Sequence, residues 1–481
     1  MTVAAPPVQA ARTSRRAVPV ALALVAASLP MFMSTLDNLV MTSALPVIQR
    51  ALSANVEQLQ WMVNSYTLAF ATLMLPAATL GDRLGRRRVF LTGITLFTLA
   101  SIGSALSTTT GALIAARAMQ GAGAAAIMPL SLTLLAAAVP PSRRAMAIGI
   151  WGGVSGLGVA LGPVIGGAVV DGFSWQGIFW LNVPVAVLAM PLILRALPES
   201  YGRRQPLDLI GLVLVGAGVL SGVWGIVRGG DLGWASVPVA GALVAGVALI
   251  VAFIRHEAAT AYPLVPLRLF RSRSFSVANV ATLSFSLGMF GAVFLLAQYL
   301  QIVDHYTHLQ AGIRTLPWTA APMIVAPIAG VLAPRVGVRV LLGSGLTLQA
   351  LGLAWLAIEV GASTPYVDLV PGFVLAGIGM GLTFAPSATA VLAEMAPDDH
   401  ATASSTNSTI REVGVALGVA VLVAVFRANG GTLTPAGYNL GLRAAILTGA
   451  AVVALGALST IWLPRNTART LATSPTPSSQ T

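Results

Sequence analysis

The sequence has no cysteine and no lysine, only four histidines, and charged side chains at just 9% of its 481 residues. Each shortage excludes something. Without cysteine there are no disulfides and no thiolate metal centres. With so few histidines and such scattered carboxylates, no cluster of nucleophile, acid, base and metal ligands is available to an enzyme. No GxxxxGK[ST] phosphate loop occurs, so ATP drive has no visible basis. Globular domains carry roughly 25% charged residues, and a chain with this few cannot clothe a water-exposed surface.

What is abundant is apolar: 56% of the residues are hydrophobic. Fourteen apolar runs, each long enough to cross a ~30 Å hydrocarbon core, fall near 18–44, 60–80, 89–107, 112–138, 145–170, 177–197, 208–227, 237–254, 275–302, 315–333, 338–358, 367–393, 403–426 and 441–463. Period-2 alternation is absent, and lipid admits only helices or closed barrels. The expected class is an all-α integral membrane protein of fourteen transmembrane helices.

Arginine sets the orientation. With the N-terminus inside, twenty arginines, from Arg12 to Arg469, lie on cytoplasmic segments, against Arg50, Arg228, Arg314, Arg427 and Arg443 on the other side. This is the positive-inside bias, and an even span count puts both termini in the cytoplasm. The net charge of +12 then needs no nucleic acid to explain it. Arg15 and Arg16 ahead of an apolar run also fit a signal peptide or twin-arginine signal, but the run is long and the same topology repeats behind it. The tail TSPTPSSQT reads as disordered.

An internal repeat organises the spans. ATLGDRLGRR, Ala78 to Arg87, returns as GVLAPRVGVR, Gly330 to Arg339, and GVALG at Gly158 to Gly162 returns at Gly414 to Gly418. The two offsets nearly agree. Two similar six-helix halves are expected at 18–197 and 275–463, with tails at 1–17 and 464–481 and a linker at 198–274 that contributes two extra spans. Parallel repeats related by an axis along the membrane normal point to a transporter that rocks two bundles about a midplane site. Chance similarity in low-complexity sequence is the alternative.

GVSGLGVALGPVIGG, Gly153 to Gly167, would make a poor helix in water, where an interior glycine costs ~1 kcal/mol relative to alanine and a proline ~3 kcal/mol. In lipid, Gly158, Gly162 and Gly166 form the small-xxx-small face that lets two helices approach closely. Pro163 adds a local bend, tolerated because neighbours can satisfy the freed carbonyl.

These motifs resemble those of the major facilitator superfamily. GLGVALGPVIGG, with Gly158, Gly162, Pro163, Gly166 and Gly167, is similar to its fifth-span antiporter signature. GDRLGRRR, Gly81 to Arg88, resembles its loop motif between spans 2 and 3, with Ala78 in place of the usual leading glycine, and LIAARAMQGAGAA, Leu113 to Ala125, its fourth-span motif. LDNLVMTSALP, Leu36 to Pro46, resembles the first-span motif of the fourteen-span drug:proton antiporters, with Leu39 and Thr42 where that branch has Thr and Asn. WQGIFWLNVP, Trp175 to Pro184, is similar to that branch's sixth-span entry. The resemblance covers nearly the whole chain. It implies two six-helix bundles with an inserted central helix pair, alternating access, and export of amphipathic drugs or antibiotics in exchange for protons. The expected partners are the lipid bilayer, a small amphipathic substrate and protons; a monomer is expected, with no cofactor, metal, nucleotide or nucleic acid.

Asp37 lies within span 1 among apolar residues, where an Asp costs ~2.5–3.5 kcal/mol to insert. Burial disfavours a carboxylate's charged form, so Asp37 is expected to carry the coupling proton or to contact a cationic substrate; a structural hydrogen-bonding role is the alternative. Arg117 in span 4 needs an acidic or carbonyl partner, and Gln120 one turn on can share its bonds. The resemblance links this motif to proton transfer, with a structural bridge as the alternative. In span 13, Arg411 lies about 12 Å from the cytoplasmic end, with Glu412 beside it. Helix neighbours do not face each other, so each is expected to pair with another helix. Arg411 resembles an arginine common here in the branch and points to the substrate pathway or gating; Glu412 is a second proton-site candidate. Glu394 reads as the cytoplasmic end of span 12.

In the loop of Asp82, Arg83, Gly85, Arg86 and Arg87, Gly85 permits a sharp turn, and Asp82 can accept from arginine or from free N–H groups at a helix start. The resemblance suggests a cytoplasmic latch; a topogenic charge cluster is the alternative. The repeat copy has Pro334 where the acid stands. Asp304, His305 and His308 in DHYTH lack a third histidine and read as a solvated external loop rather than a metal site. GIGMGLTFAP, Gly377 to Pro386, follows no strand and reads as helix packing rather than a nucleotide motif. The expected function is a proton-coupled exporter. A symporter or importer of a small metabolite shares the fold, but the antiporter signature and fourteen spans weigh against it; an embedded enzyme or a sensor is more remote.

Overall fold

The computed structural model describes residues 19–202, 206–361, 364–396 and 399–464. The expected tail at 1–17, the expected tail at 464–481 except Pro464, and the linker residues Arg203 and Arg204 lie outside them, and with them Arg12, Arg15, Arg16, Arg465 and Arg469.

The described residues are helical and contain no strand, as lipid demands of a backbone that must satisfy its own polar groups. In order they are α1 (Val20–Ala51), α2 (Val56–Leu84), α3 (Arg86–Ala105), α4 (Thr110–Ala138), α5 (Pro141–Gly172), α6 (Gly177–Trp180), α7 (Asn182–Ala196), α8 (Leu209–Leu232), α9 (Val237–Ala259), α10 (Arg273–Ile302), α11 (His308–Arg314), α12 (Leu316–Thr319), α13 (Ala321–Val336), α14 (Val338–Glu359), α15 (Tyr366–Leu392), α16 (His400–Ala428) and α17 (Pro435–Ser459). Fourteen spans among the described residues are long and apolar enough to cross a membrane, and each expected run falls on one of them. The helices outlast the runs: α1 continues to Ala51 and α17 begins at Pro435. Hydropathy marks only the part that meets hydrocarbon, while residues such as Arg50 and Asn439 extend the helix beyond it.

Two spans are broken. Span 6 is α6 and α7 joined at Leu181, and span 10 is α12 and α13 joined at Ala320, with the short α11 leading into it through Thr315. The cause is local, because Pro184, Pro317 and Pro322 have no N–H to give to the preceding turn.

The first six spans pack as one bundle and the last six as another, and the sequence repeat recurs in their packing. Gly158, Gly162 and Gly166 lie against α1, where a Cβ at Gly162 would come 2.8 Å from Leu39 Cβ. Their counterparts Gly414 and Gly418 lie against α10, where a Cβ at Gly418 would come 2.3 Å from the Leu287 carbonyl oxygen. Gly85 and Gly337, at φ 109° and 92°, each open the next helix, α3 and α14. Side chains rarely adopt that conformation, so the repeat preserves glycine at both turns. GIGMGLTFAP is interior to α15, with Gly379 packed onto the backbone of α14 at Gly345. The inserted α8 lies against both bundles, joining Leu68 of α2 to Ala416 and Ala420 of α16 through Val223 and Val227.

Candidate functional site

Inside the first bundle, side chains from four spans converge on Asp37. Its Oδ2 accepts from Arg117 Nη1 at 2.5 Å, and its Oδ1 accepts from Gln120 Nε2 and Asn182 Nδ2, both at 2.8 Å. Ser101 Oγ accepts from the same two amides. Arg117 also donates to Gln120 Oε1 at 2.7 Å and to the Met62 carbonyl at 3.3 Å, and its guanidinium lies 4.3 Å from the Tyr66 ring centre. Tyr66 in turn meets Ser34 Oγ at 3.1 Å. Asp37 is 4% and Arg117 1% exposed. Buried ions are tolerated only when paired and hydrogen-bonded, and here both carboxylate oxygens are occupied. A proton added to Asp37 would remove the counter-charge that holds α1 to Arg117 of α4.

Of the expected site residues, Asp37, Arg117 and Gln120 are thus brought together, while Arg411 and Glu412 stand outside this hydrogen-bonded group. Contrary to expectation, Arg411 and Glu412 pair with each other. Arg411 Nε and Nη2 donate to Glu412 Oε1 at 3.2 and 3.1 Å. Their Cβ atoms diverge, but the long arginine stem curls back across that angle. Arg411 also reaches Met128 Sδ of α4 in the other bundle, while Glu412 Oε2 is buried with no hydrogen-bond partner among the described residues.

The glycines of α5 form two faces. Gly158, Gly162 and Gly166 meet α1, whereas Pro163 and Gly167 meet α11 of the second bundle. The outer end of α5 is the one opposite the Arg83–Arg88 loop. There a Cβ at Gly167 would lie 2.3 Å from the His308 carbonyl oxygen, and a Cβ at Gly312 would lie 2.3 Å from that of Pro163. Thr319 Oγ1 donates to the Ala160 carbonyl at 3.3 Å, and Asp171 accepts from His308 Nδ1 at 2.5 Å and from the Leu309 N–H at 2.8 Å. Toward the inner end, a Cβ at Gly149, Gly152 or Gly153 would meet nothing within 4 Å. The bundles therefore touch at the outer end of α5, and among the described residues its inner end is left exposed. This corrects the reading of DHYTH as a wholly solvated loop: His305 is exposed, but His308 opens α11 and docks on Asp171, and burial raises the half-buried Asp304 carboxyl to about 6.

At the inner end, Arg86 Nε meets Asp82 Oδ1 at 2.7 Å, and the loop binds the segment after span 6. The Arg86 N–H donates to the Ser200 carbonyl at 2.9 Å, the Gly202 N–H to the Asp82 carbonyl at 3.0 Å, and the Arg87 N–H to Glu199 Oε1 at 2.9 Å. Arg87 Nη1 donates to the Leu197 carbonyl at 3.1 Å, and Arg83 is exposed. Glu199, Ser101, Asn182 and Asp171 were not expected from the sequence. Asn182 carried a signal, as an amide within an apolar run; Ser101 carried none, since serine is common in membrane helices.

The family model described as Major Facilitator Superfamily matches residues 27–419 and 318–480. The chain is 36% identical over 409 residues to the multidrug resistance protein Stp of Mycobacterium tuberculosis (strain CDC 1551 / Oshkosh), covering 85% of this chain and 76% of that one. It is 33% identical to the tetracenomycin C resistance and export protein of Streptomyces glaucescens, covering 86% and 77%. To the methylenomycin A resistance protein of Streptomyces coelicolor it is 34% identical, covering 86% and 87%. Among solved structures, a bacterial homolog of the human lysosomal transporter Spinster aligns with a TM-score of 0.66 at 17% identity, covering 94% of this chain and 98% of that one. A peptide transporter, POT, in complex with sulfate aligns with a TM-score of 0.68 at 17% identity, covering 93% and 95%. Those structures share the fold, and the family match together with the sequence relatives establishes that this chain belongs to the major facilitator superfamily.

Proposed function

We propose that this chain is an exporter of small amphipathic compounds, driven by protons through alternating access, with Asp37 as the acid that carries the proton. The observation that supports it most is the buried Asp37–Arg117 pair. Protonating Asp37 leaves Arg117 with Gln120, the Met62 carbonyl and the Tyr66 and Phe179 rings but no counter-charge, so the α1–α4 contact loosens. Val40 lies one turn beyond Asp37 on α1 and is the surface against which Gly166 of α5 packs. Movement at Asp37 is thereby passed to α5, whose outer end carries the contact with α11. Substrate enters from the inner end, where α5 faces open space, and Arg411 with Glu412 lines its path. The loop of Asp82, Arg83, Gly85, Arg86 and Arg87 latches the inner end of the first bundle.

In this reading the bundles are 18–197 and 275–463, both termini are cytoplasmic, the molecule works as a monomer, and the antiporter signature from Gly158 to Gly167 is the pivot. The named resistance and export functions of the relatives support it. One proton moving down 100 mV supplies ~2.3 kcal/mol, enough for appreciable accumulation. The test is uptake of radiolabelled amphipathic antibiotics into everted vesicles driven by an imposed pH gradient. Uptake by the wild type and its loss in Asp37→Asn is the expected result; gradient-driven uptake retained in Asp37→Asn would overturn the assignment.

A further inference from the structure

The inserted helix pair carries charges that neither the glycine motifs nor the Asp37 cluster uses. Two of the five outer arginines, Arg228 and Arg427, meet there. Arg228 Nε on α8 lies 3.1 Å from Glu57 Oε1 at the outer start of α2, in the first bundle. Three residues along α8, Asp231 takes both terminal nitrogens of Arg427, at the outer end of α16 in the second bundle, one of them at 2.9 Å. Below these pairs, Val223 and Val227 of α8 fill the seam between Leu68 of α2 and Ala416 and Ala420 of α16. The outer parts of α2 and α16 also touch directly, Gln60 Nε2 donating to the Val419 carbonyl at 3.4 Å.

The two ends of the inserted pair are tied to different bundles as well. The segment before α8 is bound to the Asp82–Arg86 loop of the first bundle through Ser200 and Gly202. The segment after α9 is bound to the second, with Arg268 in a two-pronged pair with Asp399 at 2.6 and 2.7 Å.

We propose that α8 is a strap across the outer gate: it holds the outer ends of α2 and α16 together through Glu57–Arg228 and Asp231–Arg427, and one of these pairs must part whenever the outer side opens. The proposal rests on the alternating-access reading above. The Glu57–Arg228 pair is the one that yields, because Arg228 Nε faces Glu57 without the alignment of a hydrogen bond, whereas Asp231–Arg427 is two-pronged and holds α8 on α16.

The chain has no cysteine, so one introduced thiol is a unique probe. Thr42→Cys places it in the closed space between the bundles, beside Gly312, Thr315 and Thr319, and a membrane-impermeant maleimide added from outside reports opening of the outer side. Partly exposed ion pairs of this kind correspond to a ~2- to 5-fold change in an equilibrium. Labelling of the introduced thiol is expected to accelerate by about that factor in Glu57→Gln or Asp231→Asn, and further in the double variant, though not by the simple product because the four charges act on one another. Asp231 also faces Arg228, and Arg427 also faces Glu57, so the inversion that keeps every contact is of all four charges. Glu57→Arg, Arg228→Glu, Asp231→Arg and Arg427→Asp together are expected to return near the rate of the Thr42→Cys parent. Unchanged or slower labelling in both neutralised variants overturns the strap. So does an inverted quartet that labels as fast as Asp231→Asn, because the effect then belongs to packing rather than charge. Labelling reads opening alone: these shifts without proton-driven export would uphold the strap and strike the proposed function.

Discussion

Substituting Gly167 by alanine adds one methyl group where the two bundles meet backbone to backbone. Its Cβ would stand 2.3 Å from the His308 carbonyl oxygen and 2.6 Å from Leu309 Cα, whereas ordinary contact begins at 3.4 Å. No flexible side-chain end is available to give way, so α5 and α11 must separate by about 1 Å in tightly packed surroundings. Overpacking of this kind costs about 1–3 kcal/mol, paid only while the outer side is closed. The outward-open population is therefore expected to rise ~5- to 150-fold, read in the Thr42→Cys background as faster maleimide labelling of intact cells. Two controls sharpen the expectation. Gly149→Ala meets nothing within 4 Å and is expected to leave labelling unchanged while gaining up to ~1 kcal/mol in helix propensity. Gly162→Ala collides with Leu39 inside the first bundle, so it is expected to lower thermal stability without favouring either gate. Equal labelling rates for the Gly167 and Gly149 variants would refute the division of α5 into two working faces.

Three further outcomes follow from the geometry. Arg117→Ala leaves Asp37 buried without its cation, a change that costs about 3–5 kcal/mol; a lowered unfolding temperature in detergent is expected, partly restored by adding Asp37→Asn. Gly85→Ala must adopt φ 109° and brings a Cβ 2.9 Å from the Glu199 carboxyl. It is expected to raise hydrogen exchange at Arg86–Val89 more than Asp82→Asn, which removes one partly exposed ion pair worth up to ~1 kcal/mol. Burial raises the Asp304 carboxyl from its ordinary value of 3.8 to about 6. The folded state then binds the proton more tightly than the unfolded one, so the stabilisation is full below 3.8 and is lost as the pH rises through about 6. Exchange of the 303–310 amides is expected to be slower at pH 5 than at pH 7 after correction for intrinsic rates, and Asp304→Asn is expected to abolish that difference.

Much of the fold was legible because hydrocarbon imposes length and composition on any helix that crosses it. The fourteen spans and the matched turns at Gly85 and Gly337 are visible in the sequence for that reason. Asp37 and Arg117 were each conspicuous as costly groups in lipid. Their pairing was not, since they stand 80 residues apart and no local pattern joins them. Ser101 and Asn182 were hidden in another way, being polar groups small enough to sit in any membrane helix. The rule that adjacent helical residues diverge failed for Arg411 and Glu412 because it describes Cβ directions, and an arginine is long enough to reach around. The face of α5 at Gly158, Gly162 and Gly166 follows from spacing alone. The second face, with Gly167 closed and Gly149 open, depends on where the other bundle lies. The prolines that break span 10 were present in the sequence, but hydropathy passes over them because they are nearly neutral.

The proposed antiport couples substrate movement and proton movement through Asp37. The most direct measurement is proton release from everted vesicles with an acid interior, followed by a pH-sensitive dye as amphipathic cations and neutral antibiotics are added one at a time. Release that depends on the protein and on the compound, and that disappears in Asp37→Asn, is the expected result. No release with any compound, together with labelled compound accumulating inside intact cells, would contradict it and identify an importer built on the same fold.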